Sequence, residues 1–267
     1  MHRKFTWFSL TSLGIGLAFL YLPILTLVIL SFNDSTMVTV WTHPSTRWYE
    51  TLFTNGSYWG PAWVTIRIAL VASTLAVIMG TLISCVVVRM KRFKTRPIFL
   101  GMTIAPLVLP EVITGLSLML MFTAFHIDRG YATVIIAHTT LAMCFSSVII
   151  TARMSSLDLS TEEAARDLGC GPISAFLHAT LPAILPAIVS AYLLAFAMSL
   201  DNLVMTTFTT GPGITTLPMR IYSEVTTGIK PEINALSSMV ILVIAMFVLT
   251  SSLVTKYSAK KEALSFP

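Results

Sequence analysis

The sequence predicts an all-α, polytopic membrane protein with six transmembrane helices, and three observations carry that prediction. Of its 267 residues, 55% are hydrophobic and 11% charged, against about 25% charged in an ordinary soluble domain. The apolar residues gather in six runs, each near the roughly 20 residues that a helix needs to cross a hydrocarbon core about 30 Å thick. The charges collect in the short flanks between those runs, so the net charge of +5 reads as an orientation signal and not as a nucleic-acid footprint. A water-soluble fold is excluded, and the length fits a single membrane domain over 1–267.

The first run, Thr6 to Phe32, follows Arg3 and Lys4 in the manner of a signal peptide. Its length and the lack of a small-residue cleavage site predict a retained helix instead. The connection after it carries Trp41, Trp48, Tyr49, Phe53, Tyr58, Trp59 and Trp63, an aromatic density expected of a belt at the membrane interface. The next runs are Ala62 to Val88, Pro97 to Phe125, Tyr131 to Ala152, Ala183 to Val204 and Ala235 to Thr255. Arg3, Lys4, Arg89, Lys91, Arg92, Lys94, Arg96, Arg153, Arg166, Lys256, Lys260 and Lys261 fall on one side of this arrangement, 12 of the 17 basic residues. By the positive-inside rule both termini are then cytoplasmic. The chain has no fixed-period repeat or low-complexity linker, so no second domain is expected. Cys85 and Cys144 lie in apolar runs and Cys170 in a polar connection, a spacing that offers neither a zinc site nor a disulfide framework.

The connection at 154–182 has its own local grammar. Ser160 with Glu163 three residues later forms a capping-box pattern and predicts a helix start. Gly169 is suited to the left-handed residue that ends such a helix, and Pro172 to the first turn of a second one. Two short cytoplasmic helices joined by a bend are expected, the first with a shallow apolar face at Ala164, Ala165 and Leu168 that invites a soluble partner.

Glu163-Ala164-Ala165, Gly169 and Leu181-Pro182 resemble the EAA motif of the permease subunits of bacterial type I ABC importers. That pattern usually has an aliphatic residue two positions before the Leu-Pro pair, where this chain has Ala179. Ser45-Thr46-Arg47-Trp48-Tyr49, the stretch from Ala105 to Leu118, Ser199-Leu200-Asp201-Asn202-Leu203, Thr215-Thr216-Leu217-Pro218 and the stretch from Pro231 to Leu236 resemble the polyamine branch. Within it, the likeness is nearer to putrescine permeases than to spermidine permeases. Asn202 stands where the branch often has a second aspartate.

The resemblance implies a type I ABC importer permease fold in the bacterial inner membrane, working by alternating access. It also implies that 154–182 is the segment that docks on an ATPase, with Glu163, Ala164, Ala165 and Gly169 as coupling residues. The partners implied are a homologous permease subunit, an ABC ATPase dimer and a periplasmic polyamine-binding protein, with ATP used by the ATPase and no cofactor held by this chain.

The acids point to a pathway for cations, with a structural hydrogen-bonded acid as the other reading of Glu111 and an acid lying in the interface as the other reading of Asp201. Glu111 lies in an uncharged apolar stretch, where a fixed charge costs about 2.5 to 3.5 kcal/mol on insertion scales and is expected to face a cavity. Pro106 and Pro110 remove backbone donors beside it. Asp201 lies late in the fifth run and is the second pathway candidate, while Glu224 and Glu232 belong to the last outer loop, where solvated acids are ordinary. His138 in the fourth run reads as a histidine hydrogen-bonded to a neighbouring helix. A self-sufficient proton-coupled transporter using Glu111, Asp201 and His138 is the rival of a different class, and the paired short helices disfavour it. Gly211-Pro212-Gly213 lacks the Lys-Ser/Thr ending of a phosphate-binding loop, and protease or hydrolase motifs are missing, so no enzymatic activity is expected of the chain.

Overall fold

The structure is a computed structural model that describes residues 7–246 apart from 39, 55, 91, 92, 159 and 229. The chain divides into two compact units, one of Met1–Tyr58 with Ile221–Pro267 and one of Trp59–Arg220. Among the described residues the regular elements are all helices, with one isolated bridge between Asn33 and Pro44.

In the first unit, α1 (Trp7–Leu30) is a long apolar helix with no buried residue. The chain then folds around Asn33, whose Nδ2 donates to the Val40 carbonyl at 2.7 Å and whose Oδ1 accepts from the Thr42 amide at 2.9 Å. The short helix α2 (Arg47–Thr54) turns Trp48 and Leu52 inward, and the Trp48 indole donates to the Asn33 carbonyl at 2.7 Å. Trp48 and Tyr58 are therefore core residues and not members of an interfacial belt, because each finds a buried partner for its polar atom. Trp41 and Phe53 are exposed. Tyr58 donates to Glu224 Oε2 at 2.5 Å, and Glu224 is buried, which corrects its reading as a solvated loop acid.

The second unit is built on α3 (Trp59–Arg89), α6 (Tyr131–Ser155) and α9 (Leu181–Leu200), which pack on one another. On α3 the buried positions Thr65, Ile68, Ala69, Ala72, Ser73, Ala76, Val77, Gly80 and Ser84 recur at helical spacing, and small residues there let backbones approach closely. At Gly80 an added Cβ would stand 2.8 Å from Ser146 Cβ. Farther along the same face, Ser84 donates to the Ser147 carbonyl at 3.1 Å and accepts from Thr151 at 3.0 Å. Val77, Ile150, Met154, Ile184 and Ala191 fill the space among the three helices.

The third predicted run is not one helix. It is α4 (Arg96–Val108) and α5 (Glu111–Ala124), bent by 115° at the break. Leu109 is extended, with φ −73° and ψ 139°, because the residue before a proline is driven out of the helical region, and Pro110 has no N–H to continue the ladder. The fifth run starts earlier than expected, at Pro172, and stops at Leu200, before the short helix α10 (Leu203–Thr209). Among the described residues, four helices are long and apolar enough to cross a membrane, or five with the bent pair taken as one span. After α11 (Leu217–Thr227), the sixth run is described only as α12 (Glu232–Met246); its remainder to Thr255 lies outside the described residues.

Candidate functional site

At one end of the second unit, α7 (Ser160–Asp167) begins on an aspartate, not on the expected capping box. The Ser160 amide donates to Asp158 Oδ1 at 3.0 Å, so the role assigned to the Glu163 carboxylate is taken by a nearer acceptor. Hydrogen bonds from the Ser160 backbone and side chain hold the Asp158 carboxyl below the usual carboxylate range. The end of α7 follows the glycine prediction. Gly169 has φ +91°, its amide donates to the Arg166 carbonyl at 2.9 Å, and the Cys170 amide donates to the Ala165 carbonyl at 3.1 Å, the paired bonds of a Schellman motif.

Gly171 then caps α8 (Pro172–Ala175), with Pro172 in its first turn. This second helix is not separate: it runs through a π-helical turn at Phe176–Thr180 into α9. Pro182 explains the turn, since it has no N–H for the carbonyl four residues back and a π register shifts the pairing.

Glu163, Ala164, Leu168, Gly169 and Ile173 are exposed and Ala165 is half-buried. The face that the sequence marks for a partner is thus open. The single buried residue of α7 is Glu162, which had been assigned no role. Arg89, the last residue of α3, donates from Nη1 to Glu162 Oε1 at 2.7 Å and from Nη2 to Glu162 Oε2. Thr180 also donates to Glu162 Oε2 and accepts from Arg89 Nη2 at 3.0 Å. The guanidinium lies 5.2 Å from the Phe176 ring centre, within cation–π range. Burial raises the Glu162 pKa, but hydrogen bonds from Thr180 and Arg89 and the charges of Arg89 and Arg166 outweigh it and hold the carboxyl below its ordinary value. Beside this clamp is a cleft of about 160 Å³, lined in part by Ala179, where the EAA pattern has a larger aliphatic side chain.

The second candidate lies where α5, α9 and α10 meet. Glu111 sits in the first turn of α5, half-buried, and Oε1 accepts from Asn202 Nδ2 at 2.6 Å. The carboxylate is therefore not unpartnered in an apolar helix: a broken span puts it at a helix N-terminus, where the dipole favours negative charge. Asn202 also caps α10, its Oδ1 accepting from the Met205 amide at 2.9 Å. Asp201, the residue before it, ends α9 and is exposed, so the structure brings the two predicted acids to one junction. His138 is buried on α6, with Nδ1 2.7 Å from Ser199 Oγ and Nε2 2.9 Å from Thr206 Oγ1. Thr206 donates in turn to the Asn202 carbonyl at 2.6 Å, which ties the histidine to the same junction.

Sequence reasoning missed Glu162, Arg89, Thr180 and Asn202. Arg89 was read only as a topology charge, and Glu162 stood in the shadow of Glu163. The signal available was that adjacent residues on a helix point about 100° apart, so Glu162 and Glu163 do not share a face. Among the described residues no three His, Cys, Asp or Glu side chains gather as a metal site.

Residues 72–262 match the family of binding-protein-dependent transport system inner membrane components. The chain is 47% identical over 233 residues to the putrescine transport system permease protein PotI of Escherichia coli K12, covering 85% of this chain and 83% of that one. It is 36% identical over 239 residues to the spermidine/putrescine transport system permease protein PotC of Haemophilus influenzae, covering 90% and 93%. A crystal structure of a bacterial ABC transporter that imports the acidic polysaccharide alginate aligns with a TM-score of 0.69 at 16% identity, over 93% of each chain; at that identity the likeness speaks for the fold.

Proposed function

We propose that this chain, which belongs to the family of binding-protein-dependent transport system inner membrane components, is the permease subunit of an ATP-driven polyamine importer with putrescine as cargo. The observation that carries the cargo is the 47% identity to a putrescine permease over 85% of the chain. The geometry agrees with it, since a half-buried carboxylate at a broken span and an exposed aspartate beside it suit a cation that must be met and released. In this reading the whole of 1–267 is one permease domain with six spans, the bent α4–α5 pair counting as one and the apolar run from Ala235 to Thr255 as the sixth. Both termini are cytoplasmic and the membrane is the bacterial inner membrane.

The open face of α7 docks on an ATPase of a separate subunit, through Glu163, Ala164 and Ala165, with Gly169 ending the helix where the partner must approach. ATP-driven closure of the ATPase pair displaces α7 and opens the pathway outward. A homologous permease completes that pathway, and a periplasmic binding protein delivers the polyamine. Glu111 and Asp201 lower the barrier for the ammonium groups by offering charge where the membrane has none.

The test is uptake of labelled putrescine and spermidine by vesicles holding the reconstituted complex, with and without ATP and the binding protein. ATP-dependent, binding-protein-dependent uptake of putrescine is expected. Equal uptake with no ATP and a proton gradient refutes the reading, and preference for spermidine moves the cargo within the branch. Cysteine labelling near Glu163 only from the cytoplasm, and near Trp48 and Gly213 only from outside, checks the orientation.

A further inference from the structure

Helix α7 has eight residues, and its single buried residue is a carboxylate. A helix that short is marginal by itself and normally holds its place through an apolar face. Here Ala164 and Leu168 are exposed and Ala165 is half-buried, so the apolar face is largely turned away. The attachment runs through Glu162, and both of its hydrogen-bond partners belong to a membrane helix or its extension. Arg89 is the last residue of α3. Thr180 closes the π-helical turn that leads into α9, and Phe176 opens it. One guanidinium grips both carboxylate oxygens of α7, the hydroxyl at one end of the turn and the ring at the other.

We infer that Arg89, Glu162 and Thr180 are positioning residues that transmit displacement of α7 to α3 and α9, so that ATP hydrolysis is coupled to transport through this clamp. A bidentate guanidinium–carboxylate pair fixes angle as well as distance, which a single point contact does not. Because the carboxylate is buried, parting the pair leaves desolvated charge behind, and the pair resists separation. A push on the outer face of α7 therefore moves the ends of two spans together and does not merely tilt α7. The π turn adds a local device: π bulges are sites where a helix changes register, and this one is held at both ends by the side chain that holds α7. The inference rests on the reading of α7 as the ATPase dock.

The experiment uses the complete complex in proteoliposomes and reads putrescine transported per ATP hydrolysed, together with recovery of the ATPase on purification. Glu162→Gln is expected to retain the ATPase, because the outward face is untouched, and to keep hydrolysing ATP while the transport ratio falls at least fivefold. Arg89→Lys, which keeps the charge without the fork, is expected to lower the ratio about twofold. A purely structural role lowers uptake and hydrolysis in proportion and leaves the ratio where it was, and that result overturns the inference. Should Glu162→Gln fail to assemble, Arg89→Lys and Thr180→Val carry the test, since both leave the carboxylate partnered; an unchanged ratio in both overturns it equally. Ala164→Arg tests the underlying reading separately. Retention of the ATPase by that variant refutes the dock, whereas loss of the ATPase with an unaltered ratio in the clamp variants refutes only the clamp.

Discussion

Glu162 and Glu111 are both carboxylates in the first turn of a helix, and their surroundings part them. Glu162 is buried, with both oxygens taken by one arginine and a threonine added. Glu111 is half-buried and, among the described residues, accepts one side-chain hydrogen bond, from Asn202. Buried and engaged on both oxygens by protein donors, Glu162 is suited to holding elements together. Glu111 keeps lone pairs free, and its neighbour is a neutral amide that cannot cancel its charge. The same side chain is thus closed off by protein partners in one place and left with an open oxygen in the other, which suits it to the cation-facing role proposed for Glu111.

Removing the partner of the buried acid has the largest expected effect. Arg89→Ala takes away the hydrogen-bonded counter-charge of the buried Glu162 and leaves it the charge of Arg166, at a cost of about 3 kcal/mol. The value is taken at the low end of that range because the Arg89 side chain keeps 30% of its surface exposed. Thermal unfolding of the purified complex should show this as a clear fall in midpoint. An unchanged midpoint means that water reaches Glu162 and that the contrast with Glu111 is false.

Glu111→Gln comes next. The amide oxygen can still accept from Asn202, so the fold is expected to hold while uptake drops at least about tenfold, equivalent to about 1.4 kcal/mol in the rate-limiting barrier. Asp201→Asn, at an exposed position, is expected to lose less than about threefold. Normal uptake by Glu111→Gln at matched expression makes that acid structural too, and the two carboxylates then differ only in degree.

Asn202→Ala sharpens the comparison from the other side. It removes the cap of α10, a loss of about 1 kcal/mol, and the one side-chain donor to Glu111. Because the charge stays, uptake is expected to fall about two- to threefold, much less than for Glu111→Gln. A deeper loss assigns the work to the position of Glu111 and not to its charge.

How far the sequence carried depended on the range of the interaction. The glycine end of α7 was legible because the Schellman pairing lies within six residues, from Ala165 to Cys170. The exposed face at Ala164 and Leu168 was legible from short-range spacing. The break at Leu109-Pro110 was half legible: the prolines were noted as freeing backbone groups, but a run that stays apolar on both sides of a bend looks like one span. Trp48 and Tyr58 were misassigned because an aromatic in a connection looks the same whether its polar atom faces a headgroup or a buried Asn33 carbonyl. The clamp was illegible, since Arg89, Glu162 and Thr180 are 73 and 18 residues apart in turn and no local pattern joins them. Periodicity places a residue on a face; only the packing of separate helices decides which charge on that face meets another.

The smallest effect expected is also the most specific to the buried acid. Partners in the fold hold the Glu162 carboxyl below its ordinary value, whereas in the unfolded chain it titrates near 4.3, about where free glutamate does. A carboxyl lowered on folding contributes stability above its unfolded pKa, and that contribution disappears as the pH falls through the folded value. The stability difference between the wild-type chain and Glu162→Gln should therefore be constant from about pH 8 down to about pH 5 and shrink only below about pH 4. The coupling ratio should be equally flat over the physiological range, because Arg89 stays charged throughout it. Thermal midpoints of both proteins, measured in parallel across that range, check the point. A wild-type advantage that instead grows as the pH falls from 7 to 5 places the carboxyl above its ordinary value, because such a group takes up a proton on folding; that is the behaviour of a buried acid lacking its counter-charge and is incompatible with a closed clamp.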